Sequence, residues 1–420
     1  MYKVWSDCIY YYSLTKKLQH TFVMSIQFQD DIDVAKLKKA LEITRTRYPY
    51  FSIRRKKTLK EIRLEHNDLE WVLKEKSDSK TYIGGKESNY HLLSFSYKKD
   101  WLYVNIFHGM CDADGILRMI RTLLYYYCKD KYDSNLNKGD ALTIDDEISQ
   151  EEIDDPYLNI PIKKMPKTQD KPIKPKYLKL NDINKYEITD PYVYKLQIPQ
   201  KELMNYCSDF DGSPATALSL FMARAIKELH QDVKETIGCG IATNLRPALG
   251  VKVSHQSTIS MPILDFTDKA ASKDLETQGT IFRGQVLLKC SKEALHEEAC
   301  YTNWFFKFIN NLPLRILKEM IMKKIIKMCM SNDTCAVSYV GRCNFQDYEK
   351  YIKQVYTEPS VEGMSIMIEV NALNDIFCLS FIQEWKESKY FDAFLKKLEE
   401  YHISYKLIDS GKEEIIYTKK

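Results

Sequence analysis

The sequence predicts an α+β protein of two lobes, each a mixed β-sheet packed with helices. Three observations carry that expectation. The chain has 420 residues, 44% of them hydrophobic, which is enough for two separate cores. Strand-like alternation and helix-like periodicity follow one another along both halves. Between the halves an acidic stretch (Asp145, Asp146, Glu147, Glu151, Glu152, Asp154, Asp155) leads into a lysine- and proline-rich segment from Pro161 to Pro175. Charged, proline-rich sequence favours extended chain over packed elements. The first lobe is therefore placed at residues 1–160, a crossover at 161–190 and the second lobe at 191–420. The lysines of the crossover read as a solvated linker rather than a phosphate contact.

In chain order, His20 to Phe28 reads as a strand. Asp33 then caps a helix whose apolar stripe is Val34, Leu37, Leu41 and Thr44, and Tyr48-Pro49 stops it. Phe51 to Arg55 and Ile62 to Glu65 continue as strands. Tyr90 to Tyr97 and Trp101 to Phe107, joined by Lys98-Lys99-Asp100, form a hairpin pattern. Ile116, Leu117, Met119, Ile120, Leu123, Leu124 and Tyr127 then recur at helical spacing.

The second half opens with a strand at Tyr192 to Ile198 and a helix after Pro199. Ser213-Pro214 supplies an N-cap and a first-turn proline for a helix that buries Leu218, Phe221, Met222 and Ala225. A short strand, Thr236 to Thr243, delivers Asn244-Leu-Arg-Pro247. An amphipathic helix from Leu312 to Met330 carries Lys318, Lys323, Lys324 and Lys327; packing on its own lobe is expected of it rather than a place on a membrane surface. A strand ending Val337-Ser-Tyr-Val-Gly341, a strand Ile376 to Gln383 and a helix Tyr390 to Tyr401 complete the series.

Composition narrows the function classes. Basic and acidic side chains nearly balance, 62 against 58, which leaves no nucleic-acid footprint. The 11 cysteines contain no C-x-x-C pair, as expected of reduced thiols in the cytoplasm. No run reaches membrane-span length and no leader pattern opens the chain, so a soluble protein is expected. No His, Cys or carboxylate cluster has ligand spacing, so no metal is expected. Aromatic core and surface account for most of the 29 tyrosines and 17 phenylalanines without a ligand.

The segment that carries chemistry is Phe107-His108-Gly109-Met-Cys-Asp112-Ala113-Asp114-Gly115, an H-x-x-x-D box where the strand period gives way to the helical one. A turn of that kind can present an imidazole to a cleft, where a base of near-neutral pKa is useful. The other histidines, at positions 20, 66, 91, 230, 255, 296 and 402, lack such a setting; His255 is singled out because it follows Asn244-Leu-Arg-Pro247 closely.

Together, Arg47-Tyr-Pro49, the His108 to Asp112 box, Asn244-Leu-Arg-Pro247 and Ser338-Tyr-Val-Gly341 resemble, in order and spacing, the chloramphenicol acetyltransferase-like superfamily. That superfamily includes alcohol acetyltransferases, BAHD acyltransferases and condensation domains, with the first branch the most similar. The resemblance implies a channel between lobes, His108 as general base, and acyl transfer from a thioester to an alcohol or amine without an acyl-enzyme. It implies that Asp112 points away from the cleft and pairs with Arg246. Oxyanion donors are then sought among the hydroxyls of Ser338, Tyr339 and Thr258, the Asn244 amide and backbone N–H groups around Gly109.

The box departs from the family's usual H-x-x-x-D-G, because Phe107 stands where a second histidine is common and Ala113 follows Asp112. Asp114-Gly115 offers a second register. Asp112 is preferred, since its spacing lets the carboxylate fold back beside the strand end, with Asp114 placed to cap a helix beginning at Gly115. The resemblance implies acyl-coenzyme A as co-substrate, no tightly bound cofactor, a small-molecule acceptor and a monomer. A carrier protein presenting phosphopantetheine in trans, or a non-catalytic binding protein on the same scaffold, stands as the alternative.

Overall fold

A computed structural model describes residues 2–77, 82–164, 175–183, 191–209, 212–329, 333–360, 365–408 and 416–417. Two larger sheets organise them. One has five strands in the order Ile352–Pro359, Thr21–Phe28, Trp101–Phe107, Leu93–Lys98 and Leu73–Glu75. The other has eight, with Cys335–Arg342, Ile366–Leu373, Ile376–Gln383 and Tyr192–Pro199 adjacent at its centre. Residues 165–174 and 184–190 of the expected crossover lie outside the described residues, as does Met330.

Each sheet has its own core. Met24, Phe95, Val104, Leu123 and Tyr127 pack around the first, and Leu196, Phe221, Leu379, Phe381 and Phe394 around the second. Two helices start where the sequence places their caps. Asp33 accepts from the N–H groups of Ala35 and Lys36, both at 3.1 Å, and Ser213 accepts from Thr216 at 3.3 Å. The Trp101–Phe107 strand pairs antiparallel with Leu93–Lys98, so the hairpin forms as its pattern implies.

Two features differ from the sequence-based expectation. Ile352–Pro359, far along the second half, pairs antiparallel with Thr21–Phe28 in the first sheet. The helix expected from Leu312 begins at Arg315 and sends Met322 into the first core, beside the Cys8–Ser13 helix. Arg315 also donates to the Thr58 carbonyl at 2.8 Å. Lys318, on the expected polar face, is fully buried and donates to the Asn310 carbonyl at 3.0 Å. A lysine whose ammonium finds a carbonyl at a helix end can go inside, which residue type alone does not signal. Among the described residues, no helix is long and apolar enough to cross a membrane.

Candidate active site

His108 follows the Trp101–Phe107 strand directly. Its backbone N–H donates to the His20 carbonyl at 2.8 Å, and Met110 closes the turn onto the Phe107 carbonyl at 3.0 Å. The imidazole stacks on Tyr10 with centroids 5.1 Å apart and meets the Phe22 ring edge-on. Nδ1 is turned into the protein, near the residue's own carbonyl but outside hydrogen-bonding geometry. Nε2 is therefore the nitrogen available to a ligand. Burial lowers the imidazole pKa, while that carbonyl and the Asp112 carboxylate act in the opposite sense. The ring is thus held neutral, the form a general base needs.

Asp112 is 1% exposed. Arg246 donates to it in a bidentate pair, Nη2 to Oδ1 at 2.8 Å and Nη1 to Oδ2 at 2.9 Å. The backbone N–H groups of Gly115 and Thr258 add bonds of 2.8 and 2.9 Å. Arg246 spends its remaining donors on the carbonyls of Ser254 and Gln256 and on Asn244 Oδ1. One ion pair thus joins the His108 turn to the Asn244-Leu-Arg-Pro247 segment.

Asp112, not Asp114, caps the Ala113–Lys131 helix. Its carboxylate reaches the Gly115 N–H while still holding Arg246, and Asp114 lies within the first turn, 3.3 Å from Arg246. Gly115 has a separate reason to be glycine: a Cβ there would stand 2.1 Å from the His255 carbonyl oxygen.

The segment containing His255 is held by the Arg47-Tyr-Pro49 region. Arg47 makes a buried bidentate pair with Glu152 at 3.0 and 3.1 Å, and the Tyr50 hydroxyl donates to the same carboxylate at 2.8 Å. His255 Nδ1 lies 2.5 Å from the Glu152 carbonyl. Part of the acidic stretch is therefore docked structure rather than extended chain.

Burial pushes the His255 pKa from 6.5 down to about 4. Its neutral form contributes stability that is fully present above the unfolded value and lost as pH falls toward the folded one. That loss amounts to about 3 kcal/mol by the lower end of the window. Urea unfolding of His255→Gln is expected to show a smaller decline than the wild type between neutral pH and about pH 4. Parallel declines would assign the acid loss to other groups.

Two cavities flank the His108 turn. One, of about 190 Å³, is lined by His108, Phe22, Asn244, Ser338, Thr357 and Glu369 among others. The other, of about 420 Å³, is lined by Gly109, Met110, Tyr11, Tyr50, Asp155 and His255 among others. Of the expected oxyanion donors, Ser338 and Asn244 reach the first cavity. Tyr339 lines its edge but packs its ring edge-on against Phe377. Gly109 lies on the second cavity. Thr258 is fully buried against Asp112 and lines neither.

No protein-family model and no curated protein matches this sequence. Solved structures do. TRI101 from F. graminearum, complexed with coenzyme A and deoxynivalenol, superposes with a TM-score of 0.63 at 13% identity over 95% of this chain and 97% of that one. Polyketide synthase associated protein 5 from Mycobacterium tuberculosis gives 0.60 at 12% identity, covering 94% and 95%. The condensation domain of the Monacolin K polyketide synthase MokA gives 0.60 at 10% identity, covering 95% and 96%. The chain has the two-lobed chloramphenicol acetyltransferase-like fold.

Within that fold, three residues without a sequence signature of their own stand at the His108 cavity or its ring. Tyr10 stacks on the imidazole, and His20 receives its backbone N–H. Glu369 lines the cavity from the second sheet. The available signal for Glu369 was a lone carboxylate in the otherwise apolar run Ile366-Met-Ile-Glu-Val370.

Proposed function

We propose that this protein is an acyltransferase, with His108 as general base, moving an acyl group from a coenzyme A thioester to the hydroxyl or amine of a small acceptor. The observation that carries the reading is a neutral imidazole on a cavity wall, fixed by a buried ion pair, with a second cavity across the same turn. His108 Nε2 removes the acceptor proton as oxygen or nitrogen attacks the thioester carbonyl. The Asn244 amide is the side-chain donor left to meet the developing oxyanion, because the Ser338 hydroxyl on the same cavity is given to Glu369. Collapse expels the thiolate, which takes the proton back from the imidazolium, so no acyl-enzyme forms.

Coenzyme A and deoxynivalenol bound together in the TRI101 complex support this choice of donor and of a small-molecule acceptor. The condensation domain with the same fold supports a second reading, in which a carrier protein presents the thioester. We place the activity in the cytoplasm, in a monomer whose lobes span 1–160 and 191–420, apart from segments such as Ile352–Pro359 that the second contributes to the first sheet and core.

Incubating the full chain with acyl-coenzyme A and a panel of alcohols and amines tests the proposal. Acceptor-dependent release of free thiol is the expected result. Turnover only with a phosphopantetheinyl carrier would shift the assignment to the second reading. A wild type inert toward every donor would leave a binding protein on this scaffold.

A further inference from the structure

The His108 cavity holds a second ionisable group that the acyl-transfer steps do not use. In the Ile366–Leu373 strand, Ile366, Ile368, Val370 and Ala372 face the second core. The period of two turns Met367 and Glu369 to the other face, and both line the cavity. Glu369 is only 5% exposed.

A carboxylate this deep ordinarily faces a cation. Its cross-strand neighbours are Ser338 on one side and Ser380 on the other. The Ser338 hydroxyl donates to it, and Ser380 Oγ is buried without a partner among the described residues. The next residue along this row of the sheet is Lys195, whose ammonium is committed to Glu358 at 2.6 Å. Arg246, which is not among the cavity's lining residues, is committed to Asp112 and Asp114. Among the described lining residues there is no lysine or arginine; the other titratable groups are His108, Asp112, Asp114 and Tyr339.

We propose that Glu369 selects the acceptor by binding an ammonium group, so that the acceptor is a small diamine or amino alcohol with its other end at His108. The assignment of the reacting end rests on the acyltransferase reading; the ammonium site does not. A cavity of about 190 Å³ fits an acceptor of a few carbons. Drug-sized ligands occupy roughly 300 Å³ or more.

Without a ligand, burial holds the Glu369 carboxyl up at about 8, so it is mostly protonated at neutral pH and carries no stranded charge. An arriving ammonium converts it to the carboxylate, and the proton leaves to solvent. Binding at neutral pH therefore releases protons, whereas binding of an uncharged diol of the same length releases none.

Calorimetric titration of the full chain with a four-carbon diamine and the matching diol, in two buffers of different ionisation heat, reads both effects. The diamine is expected to bind about ten- to a hundred-fold tighter than the diol, as for one charge-assisted bond, and to release protons. Glu369→Gln keeps the bond with Ser338 and is expected to abolish both the preference and the release. Equal affinity for diamine and diol, or diamine binding without proton release in the wild type, would overturn the proposal with no variant needed. Diamine binding without any thioester consumption keeps the ammonium site and removes the acyltransferase reading. Acyl transfer to alcohols and diamines without discrimination does the reverse.

Discussion

Arg246→Met is expected to lower the free energy of unfolding by about 3–5 kcal/mol, far more than any surface charge change in this chain. The substitution leaves Asp112, 1% exposed, with two backbone N–H partners and no counter-charge. It also strips the Ser254 and Gln256 carbonyls of a shared donor. The exposed Lys39–Asp130 pair, with side-chain exposures of 66% and 36%, is the control. Breaking it is expected to cost less than about 1 kcal/mol, because water screens both partners. Urea unfolding of both variants measures the contrast. Replacing Asp112 by Leu in the Arg246→Met background removes the stranded charge and is expected to recover part of the loss, a coupling that a double-mutant cycle reads directly. An Arg246→Met protein as stable as the surface control would mean that the pair does not anchor the two segments.

What the sequence made legible here follows from how local each feature is. The strand end at Phe107 and the caps at Asp33 and Ser213 are written in periods and single residues and form where the pattern places them, whereas the helix after the box starts at Ala113, two residues before the expected Gly115. The Asp112 to Arg246 pair spans 134 positions, and no local pattern predicts it. It was legible only through the ordered motifs. Features that depend on chain path alone were not. Lys292–Asn311 and Arg315–Cys329 read equally well as amphipathic helices wherever they pack, yet both send apolar residues, such as Phe306 and Met322, into the first core. Ile352–Pro359 is likewise a plausible strand in either sheet. The cap fell to Asp112 rather than Asp114 because one carboxylate can serve a helix N-terminus and a guanidinium together.

The other large effect lies in turnover. His108→Ala is expected to lower kcat/KM by about 10²- to 10⁴-fold, the usual contribution of a positioned general base. The KM for the thioester is expected to stay near its wild-type value, because the imidazole acts on the acceptor's proton and not on donor binding. Far-ultraviolet circular dichroism and the unfolding midpoint separate this from misfolding; the ring is half-buried and lost chiefly from its contacts with Tyr10 and Phe22. The pH profile supplies a readout that packing alone would not move. With an uncharged alcohol as acceptor, which does not engage the Glu369 carboxyl, the burial that depresses the imidazole pKa is expected to make kcat/KM rise with pH through an inflection below the ordinary histidine value of 6.5 and stay level across neutral pH. A first inflection above that value would mean that the titrating base is not this buried ring. Unchanged turnover in His108→Ala would remove the general base from the scheme and leave proximity between donor and acceptor as the whole of the catalysis.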